Sequence, residues 1–292
     1  MAPDRIAPVK PARVDAHHHV WDLDVREQPW TAPWPMLHRS FSVSDLRPHL
    51  LSNRIDATVV VQTLCAAEET LELLALAQAA PEVAGVVGWV DLCAPDVDEL
   101  VASLREGPGG NYLVGVRHPV QDEPDPRWLC RPGVRQGKVS VGRAGLAYDC
   151  LVRAHQLPAV VETVTALDDV RFVLDHGGKP VIIEGSITPW RDHIRSLGKL
   201  PNVSVKLSGL VTEADPGAWT VEQLRPYSEV IIEAFGPDRV MWGSDWPACL
   251  PAGSYEDVLA AAGSLTASLS ASERAAVFGN TALSWYSLEE AK

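Results

Sequence analysis

The sequence has little cysteine and no excess of positive charge, and both shortages argue against whole classes of protein. The five cysteines are scattered along the 292 residues and never form a C-x-x-C pair, which argues against a disulfide framework and against a thiolate zinc site. The 25 basic residues are outnumbered by 38 acidic ones, giving a formal charge of −13. A nucleic-acid-binding protein, which usually carries a basic face, is therefore not expected.

Long apolar runs are missing as well, although 46% of the residues are apolar and can form a large core. No stretch is long and apolar enough to span a bilayer. The opening segment MAPDRIAPVKPARV also lacks the apolar centre of a secretory signal. We therefore expect a protein of a reducing, cytoplasmic compartment, with neither a membrane nor a nucleic acid as partner. The sequence gives no indication of the oligomeric state.

Short runs rich in β-branched residues alternate with helical patterns along the chain. Runs this apolar are typical of strands buried on both faces of a parallel sheet. The predicted strands are 13–19, 57–62, 84–90, 113–117, 146–152, 171–176, 202–207 and 239–244. Apolar residues at helical spacing predict helices over 68–80, 157–168, 255–268 and 271–285.

Eight strand–helix units in a chain of this length predict the α/β class, as a single (β/α)₈ TIM barrel with parallel strands. We expect one hydrolase domain over 1–292, with about 1–12 as an N-terminal extension. An open, doubly wound sheet is the alternative, but its first turn between strand and helix is more often rich in glycine. Here the first strand instead leads into histidines and a loop rich in tryptophan and proline over 21–40.

Histidines cluster where the predicted strands end. Alternate side chains of a strand share a face, so His17 and His19 should point one way and His18 the other. The active site of a TIM barrel is built at the carboxyl ends of its strands. Five of the nine histidines fall at these ends, namely His17, His19, His118, His155 and His176. Such clustering would be rare by chance, and it predicts a functional site.

The histidines have two possible chemical roles. His17, His19 and His176 could stabilise the oxyanion that develops when an ester or lactone carbonyl is attacked, because imidazoles can donate hydrogen bonds to it. They could also do so through a bound divalent metal acting as a Lewis acid. His176 taken alone could equally be a buried core histidine.

Charged residues at the other strand ends complete the predicted site. Asp245, after the eighth strand, could accept a proton from an attacking water, or it could merely cap a helix. Arg117, on the fourth, could grip a carboxylate or adjacent hydroxyls with two hydrogen bonds, or pair with one of the many acids. Lys206, on the seventh, could contact the substrate or form an interior ion pair.

Several aromatic residues and the two remaining histidines are predicted substrate contacts. Trp21 and Trp246 lie beside the predicted site, and flat indole rings suit the apolar faces of sugars. Together with His118 and His155 we expect them to hold the substrate. For Trp30 and Trp34, in the same loop as Trp21, ordinary packing is the simpler explanation. The shapes of the loops themselves cannot be predicted from the sequence.

Six motifs along the chain resemble the amidohydrolase-related (amidohydrolase 2) family. In order, they are DAHHHVWD, GVRHPVQDEPDPRWL, HQLP, FVLDHGGKP, KLSGL and GSDWP. They are most similar to the sugar-lactonase branch, which includes L-fuconolactonases and L-rhamnonolactonases, and the similarity runs from about residue 13 to FGNTALSWY near the C-terminus. The resemblance implies a hydrolase that opens the ring of a sugar-derived aldonolactone (L-fucono-, L-rhamnono- or galactonolactone) with water.

The resemblance also implies a set of metal ligands. By position, His17 and His19 match the first-strand pair, His176 a later strand histidine, and Asp245 the eighth-strand aspartate. The fifth strand lacks the histidine found in the wider superfamily, and no lysine ends the fourth strand to bridge two metals. We therefore expect one divalent metal ion, zinc, or none, with the histidines themselves acting on the carbonyl in the second case.

Two other functions are weighed against lactone hydrolysis. A zinc-dependent decarboxylase or amidohydrolase of the same superfamily would use the same fold but would need firm metal binding. A sugar-acid-binding protein without catalysis is the third candidate. The sequence argues against it, because every polar position that hydrolysis needs is filled.

Overall fold

The computed structural model describes residues 13–288, so the extension predicted over 1–12 lies outside the described residues. A sheet of eight parallel strands runs through this part of the chain and confirms the eight predicted strands. They are β1 (Val14–His18), β2 (Ala57–Val61), β3 (Val83–Gly88), β4 (Leu113–His118), β5 (Ala147–Cys150), β6 (Arg171–Leu174), β7 (Val203–Leu207) and β8 (Val240–Trp242).

The strands neighbour one another in the order in which they occur in the chain. The sheet closes where the segment after β8 joins the end of β1. There the Asp245 N–H donates to the His17 carbonyl at 2.8 Å, and the His19 N–H donates to the Trp246 carbonyl at 2.7 Å. This confirms the (β/α)₈ barrel, and it places an aspartate from one end of the sequence beside two histidines from the other.

Within the described residues, seven helices connect successive strands around the outside of the barrel, and three more follow the last strand; the final one contributes Ala282 and Leu283 to the same apolar cluster as Val14 and Val59 of the strands. In chain order, the helices are α1 (Val43–Asn53), α2 (Ala67–Ala79), α3 (Val97–Glu106), α4 (Pro132–Arg143), α5 (Leu157–Ala166), α6 (Trp190–Gly198), α7 (Val221–Phe235), α8 (Tyr255–Leu265), α9 (Ala271–Ala275) and α10 (Thr281–Trp285). A π-helical turn, Ala276–Asn280, joins α9 to α10, so the helix predicted over 271–285 is confirmed with one irregular turn. Among the described residues no helix is long and apolar enough to cross a membrane.

The strands are buried on both faces, as their composition predicts. In β6, for example, Phe172 and Leu174 belong to the apolar cluster between the strands and the helices. Val173 belongs to a second apolar cluster, which lies inside the barrel. Above that cluster the interior becomes polar, and fully buried charged side chains replace the valines. The change from apolar to charged layers marks the carboxyl end of the barrel as the end that carries chemistry.

Candidate active site

A cavity of about 520 Å³ opens at the carboxyl ends of the strands. Four of the residues predicted for the site line it: His19, Arg117, His176 and Asp245. The other walls combine apolar and aromatic side chains with a few polar ones, which is typical of a small-molecule site. They include Pro29, Trp30, Trp34, Leu37, Thr63, Cys65, Gln121, Asp122, Lys179 and Thr212.

The three histidines of the first strand point to alternate faces, as predicted. His17 and His19 converge in the barrel, and their Nε2 atoms are 3.2 Å apart. His18 points the other way and bonds the Thr58 hydroxyl at 3.0 Å. The Nδ1 atom of His19 lies 2.7 Å from the Val61 carbonyl oxygen, which fixes the orientation of that ring.

The Asp245 carboxylate lies against three imidazoles. Its Oδ1 atom is 3.5 Å from Nε2 of His19, 3.7 Å from Nε2 of His17 and 3.9 Å from Nε2 of His176. All four residues are buried. The structure therefore brings together, around one oxygen atom, the four side chains that the sequence proposes as the catalytic and metal-binding set.

Three residues that line the cavity have a left-handed backbone, which is uncommon for residues with a side chain. The φ angles of His176, Lys179 and Asp245 are 53°, 48° and 57°. The neighbouring Gly209 also has a positive φ, and a Cβ atom there would lie 2.6 Å from Nδ1 of His176. Such conformations are concentrated at functional sites, where the surrounding structure holds them in place.

Burial and neighbouring charges set the protonation states of this cluster. Burial lowers the pKa of His176 to about 4, and burial together with the Lys206 charge lowers the pKa of His17 well below its usual value. Burial alone would raise the pKa of Asp245, but the electrostatic interactions of its carboxylate with the adjacent imidazoles, His176 first and then His19, outweigh burial and hold that pKa below its usual range. At neutral pH, His17 and His176 are therefore uncharged and Asp245 is ionised.

A network of buried charges lies beneath the cavity. The Lys206 ammonium is 2.6 Å from Asp149 Oδ2 and 3.0 Å from Asp175 Oδ1, and all three side chains are fully buried. Arg117 Nη1 donates to the other oxygen of Asp175 at 3.1 Å, and its Nη2 donates to the Gln62 carbonyl. Lys206 thus forms an interior ion pair, and the charge of Arg117 is already compensated by Asp175.

Comparison with known proteins decides the family. The family model described as "Amidohydrolase" matches residues 14–288, which is nearly the whole chain. This chain belongs to the amidohydrolase family. The family resemblance predicted from the six motifs is confirmed.

Two curated relatives are similar to this amidohydrolase over most of their length. An L-fucono-1,5-lactonase from Burkholderia multivorans is 38% identical over 95% of this chain and 97% of its own. An L-fucono-1,5-lactonase from Burkholderia ambifaria is 37% identical over 84% of this chain and 83% of its own. The crystal structure of an amidohydrolase from Burkholderia multivorans with bound zinc is 37% identical, covers 94% of this chain and 99% of its own, and has a TM-score of 0.88.

The residues of this amidohydrolase fit one divalent metal ion. Neutral imidazole nitrogens and a carboxylate oxygen are donors that zinc prefers, and donors on one tetrahedral zinc lie about 3.3 Å apart. His17, His19 and Asp245 offer such atoms within 4.8 Å of one another. A second group of the same kind, His17, Asp175 and His176, shares His17 with the first. The protonation states described above are also those that metal binding requires.

The structure does not bring the other two predicted histidines to the cavity wall. His118 stacks on Trp128, with ring centroids 4.1 Å apart and planes inclined by 10°. Its Nε2 is 2.8 Å from Glu123 Oε1. His155 is exposed in a short turn after β5. Neither is among the residues that line the cavity, so their contacts with substrate stay predictions without geometric support.

The tryptophans are arranged differently from the prediction. Trp21 is buried, and its indole N–H donates to the Arg39 carbonyl at 2.7 Å. Trp246 is also buried and packs edge-on against Phe41. Trp30 and Trp34, for which packing is the simpler explanation on sequence grounds, instead line the cavity. A one-dimensional pattern cannot distinguish Trp21, Trp30 and Trp34, because they share the loop over 21–40 and tertiary contacts decide which of them faces the cavity.

Sequence reasoning also missed three residues of the site. Lys179 lines the cavity, and Asp149 and Asp175 surround Lys206 beneath it. A signal for the two acids was present: each is a charged residue in or directly after an otherwise apolar strand. A charge placed in such a strand is buried and needs a partner of opposite sign.

Proposed function

We propose that this amidohydrolase opens the ring of a sugar-derived aldonolactone with water. The observation that carries the proposal is the position of the Asp245 carboxylate, within 3.9 Å of three imidazole nitrogens at the mouth of a closed barrel. The two similar L-fucono-1,5-lactonases support a sugar lactone as the substrate. L-fucono-1,5-lactone is therefore the first compound to test.

Hydrolysis of a lactone needs a base for the water and an acid for the departing ring oxygen. Asp245 is ionised and lines the cavity, so it can accept the proton of a water that attacks the carbonyl carbon. The bond between that carbon and the ring oxygen then breaks, and the ring oxygen leaves as an alkoxide. Asp245, which has taken up the proton of the water, then gives that proton to the alkoxide.

The carbonyl oxygen becomes negatively charged during the attack and needs stabilisation. His19 and His176 line the cavity, and their Nε2 atoms lie 3.5 and 3.9 Å from Asp245 Oδ1, so both imidazoles are placed to stabilise that charge, directly or through a bound metal. We propose that His17, His19, His176 and Asp245 hold one zinc ion, as the donor set allows. When bound, the metal supplies a Lewis acid that polarises the carbonyl and makes the water more acidic.

The cavity walls account for binding of the sugar. Trp30 and Trp34 offer flat apolar surfaces to one face of a sugar ring. Lys179 and Thr212 offer hydrogen bonds to hydroxyl groups. All four line the cavity, and Lys179 is only loosely paired with Glu213 at 3.5 Å. Arg117 contributes a guanidinium edge whose charge is already compensated.

We also propose that the chain forms a single barrel domain, with about 1–12 as an N-terminal extension, and that a small-molecule lactone is its partner. For the cell compartment we propose the cytoplasm. The five cysteines are all free thiols, which suits a reducing compartment.

A lactone panel tests the proposed function. Ring opening releases acid, so a pH indicator reports turnover of L-fucono-, L-rhamnono- and galactonolactones without a coupled enzyme. The purified protein is assayed as isolated, after metal removal with a chelator, and after addition of zinc. We expect hydrolysis of at least one sugar lactone well above the spontaneous rate. Absence of hydrolysis across the panel in all three states, or release of CO₂ from aromatic acids instead, would reject the proposal.

A further inference from the structure

Nδ1 of His17 has two neighbours, one of which requires a lone pair on this nitrogen and the other a hydrogen. Lys206 Nζ lies 3.1 Å away, and Asp175 Oδ1 lies 3.4 Å away. An ammonium group can only donate a hydrogen bond and a carboxylate can only accept one. The Lys206 contact therefore needs a lone pair on Nδ1, whereas the Asp175 contact needs a hydrogen there. In the neutral ring these are two different tautomers.

The contacts of Nε2, on the opposite edge of the His17 ring, decide between the two tautomers. Nδ1 of His19 is 2.7 Å from the Val61 carbonyl oxygen. A carbonyl only accepts, so this nitrogen carries a hydrogen, and in the neutral ring Nε2 of His19 has the lone pair. The 3.2 Å contact between the two Nε2 atoms then needs a hydrogen from His17. With that hydrogen on Nε2, Nδ1 of His17 is left with a lone pair that faces Lys206.

Three contacts oppose this arrangement, and all three are longer than those that support it. Asp175 Oδ1 lies 3.4 Å from Nδ1 of His17, and Asp245 Oδ1 lies 3.5 Å from Nε2 of His19, where it would suit a hydrogen. Arg117 Nη1 lies 3.4 Å from Nε2 of His17, which would suit a lone pair on Nε2. The same Nη1 donates to Asp175 at the shorter distance of 3.1 Å. The chain of bonds from Lys206 through His17 and His19 to Val61 is shorter at every step, so it determines the tautomer.

We propose that Lys206 is a positioning residue that keeps the hydrogen of His17 on Nε2 and so weakens metal binding at that histidine. A metal ligand must offer a lone pair, and Nε2 is the atom of His17 that faces His19 and Asp245. For His17 to bind a metal, the hydrogen leaves Nε2 and another is taken up at Nδ1, with no net change in the number of protons on the ring. Asp175 then accepts the Nδ1 hydrogen, and Lys206 keeps its bond to Asp149.

This inference rests on the metal site of the proposed function. It implies that the site binds its metal ion weakly and exchanges it. Without a metal, His17 has a hydrogen-bond partner on each ring nitrogen, so both buried nitrogens are satisfied. Asp175 supplies a partner for the other tautomer. The two acids and Lys206 thus support both states, and the Lys206 contact favours the state without metal.

The test uses a double variant, Lys206→Met with Asp149→Asn, which removes one positive and one negative charge together. The net charge near His17 is therefore kept, while the hydrogen-bond donor to Nδ1 is lost. Asp149→Asn alone, which retains Lys206, is the matched control. Two measurements are made on each full-length protein: ¹⁵N NMR of the histidine tautomers in the metal-free state, and the zinc dissociation constant by competition with a coloured chelator.

We expect His17 of the metal-free wild type to carry its hydrogen on Nε2, and that of the double variant to carry it on Nδ1. The double variant should bind zinc at least tenfold more tightly than the wild type, and the control should show no gain. A metal-free wild type with the hydrogen on Nδ1 would overturn the inference even if the double variant fails to fold. A double variant with no gain in zinc affinity would overturn it as well.

These results stay distinct from a failure of the proposed function. The tautomer and the zinc affinity are measured without substrate, so they stand whether or not any lactone is hydrolysed. Conversely, the lactone panel is read on wild-type protein with and without zinc. A lactonase whose Lys206 variant gains no zinc affinity retains its proposed function and loses only this inference.

Discussion

A methyl group on Gly209 would lie 2.6 Å from Nδ1 of His176, so the glycine and the imidazole ring are packed with no room between them. The Gly209 backbone also has a positive φ of 62°. Gly209 thus restricts the position of the His176 ring, and Ser208 Oγ is hydrogen-bonded to its Nδ1 at 2.9 Å. Two consecutive residues after β7 therefore hold the histidine that approaches Asp245.

Substitution of this glycine should disturb catalysis more than folding. In Gly209→Ala the new methyl group pushes the His176 ring from its position, so we expect kcat for the lactone to fall by roughly tenfold or more, as for other misplaced catalytic groups. Gly185→Ala is the matched control, because Gly185 also has a positive φ, of 64°, but nothing lies within 4 Å of its Cβ position. Both variants carry a backbone penalty of about 1–2 kcal/mol, which thermal unfolding measures. Equal activity in the two variants would contradict the packing argument.

Removal of the Asp245 charge should abolish turnover. Asp245→Asn keeps the size of the side chain but cannot accept the proton of the attacking water, and the expected loss in kcat is roughly 10²–10⁴-fold. Circular dichroism and thermal unfolding check that the barrel is intact. Asp98→Asn, on the exposed face of α3, serves as the control and should retain full activity. Near-normal hydrolysis by Asp245→Asn would exclude this carboxylate from the mechanism.

Lys179 should act on substrate binding more than on the chemical step. Its left-handed backbone, with a φ of 48°, lies in the same tight turn as His176, and its side chain lines the cavity. A hydrogen bond from a charged donor is worth about 1.5–3 kcal/mol, so Lys179→Met should raise KM roughly tenfold or more with a smaller change in kcat. Steady-state kinetics measure KM and kcat separately. The exposed Lys199→Met gives the baseline, and an unchanged KM in the Lys179 variant would remove that residue from the binding site.

A buried lysine that does not line the cavity should make the free energy of unfolding depend on pH in the alkaline range. Lys138 on α4 is fully buried and donates to the Leu129 carbonyl at 2.8 Å, and burial lowers its pKa to about 8 from a usual 10.5. Between these two values the unfolded chain binds the proton and the folded chain does not, so the free energy of unfolding contributed by this group rises with pH. The full effect is about 3 kcal/mol.

Lys138→Met removes this dependence and tests its sign. Urea unfolding at several pH values from 7 to 10.5 gives the free energy of unfolding of both proteins. The difference between variant and wild type should be largest near pH 7, in favour of the variant, and should shrink as pH rises through 8 toward 10.5. The Leu129 carbonyl keeps a donor in the variant, since the Thr163 hydroxyl lies 3.3 Å away. A constant difference across this range would contradict the lowered pKa.

The barrel was predictable because its strands are unusually regular in composition. Runs such as ATVVVQ between helical patterns leave few alternatives, and the alternation of His17, His18 and His19 follows from strand geometry alone. Asp245 was predictable for the same reason: the carboxyl ends of parallel strands meet at one rim of a closed sheet.

What escaped prediction depends on loops and on side-chain direction. Trp21 and Trp30 lie in the same loop, yet one is buried behind it and the other lines the cavity. Their positions are set by tertiary contacts, such as the bond from Trp21 to the Arg39 carbonyl, which no local pattern encodes. His155 illustrates the same limit, because five residues beyond the end of β5 the chain has already turned outward and the side chain is exposed.

The closure of the sheet between β1 and the segment after β8 has a consequence for protein synthesis. His17 and His19 leave the ribosome before Asp245, which hydrogen-bonds to His17 through its backbone and is synthesised more than two hundred residues later. Translation proceeds at about 5–20 residues per second, so for many seconds the nascent chain holds the histidines without their carboxylate. Competence for hydrolysis is acquired in one late step, when the barrel is completed.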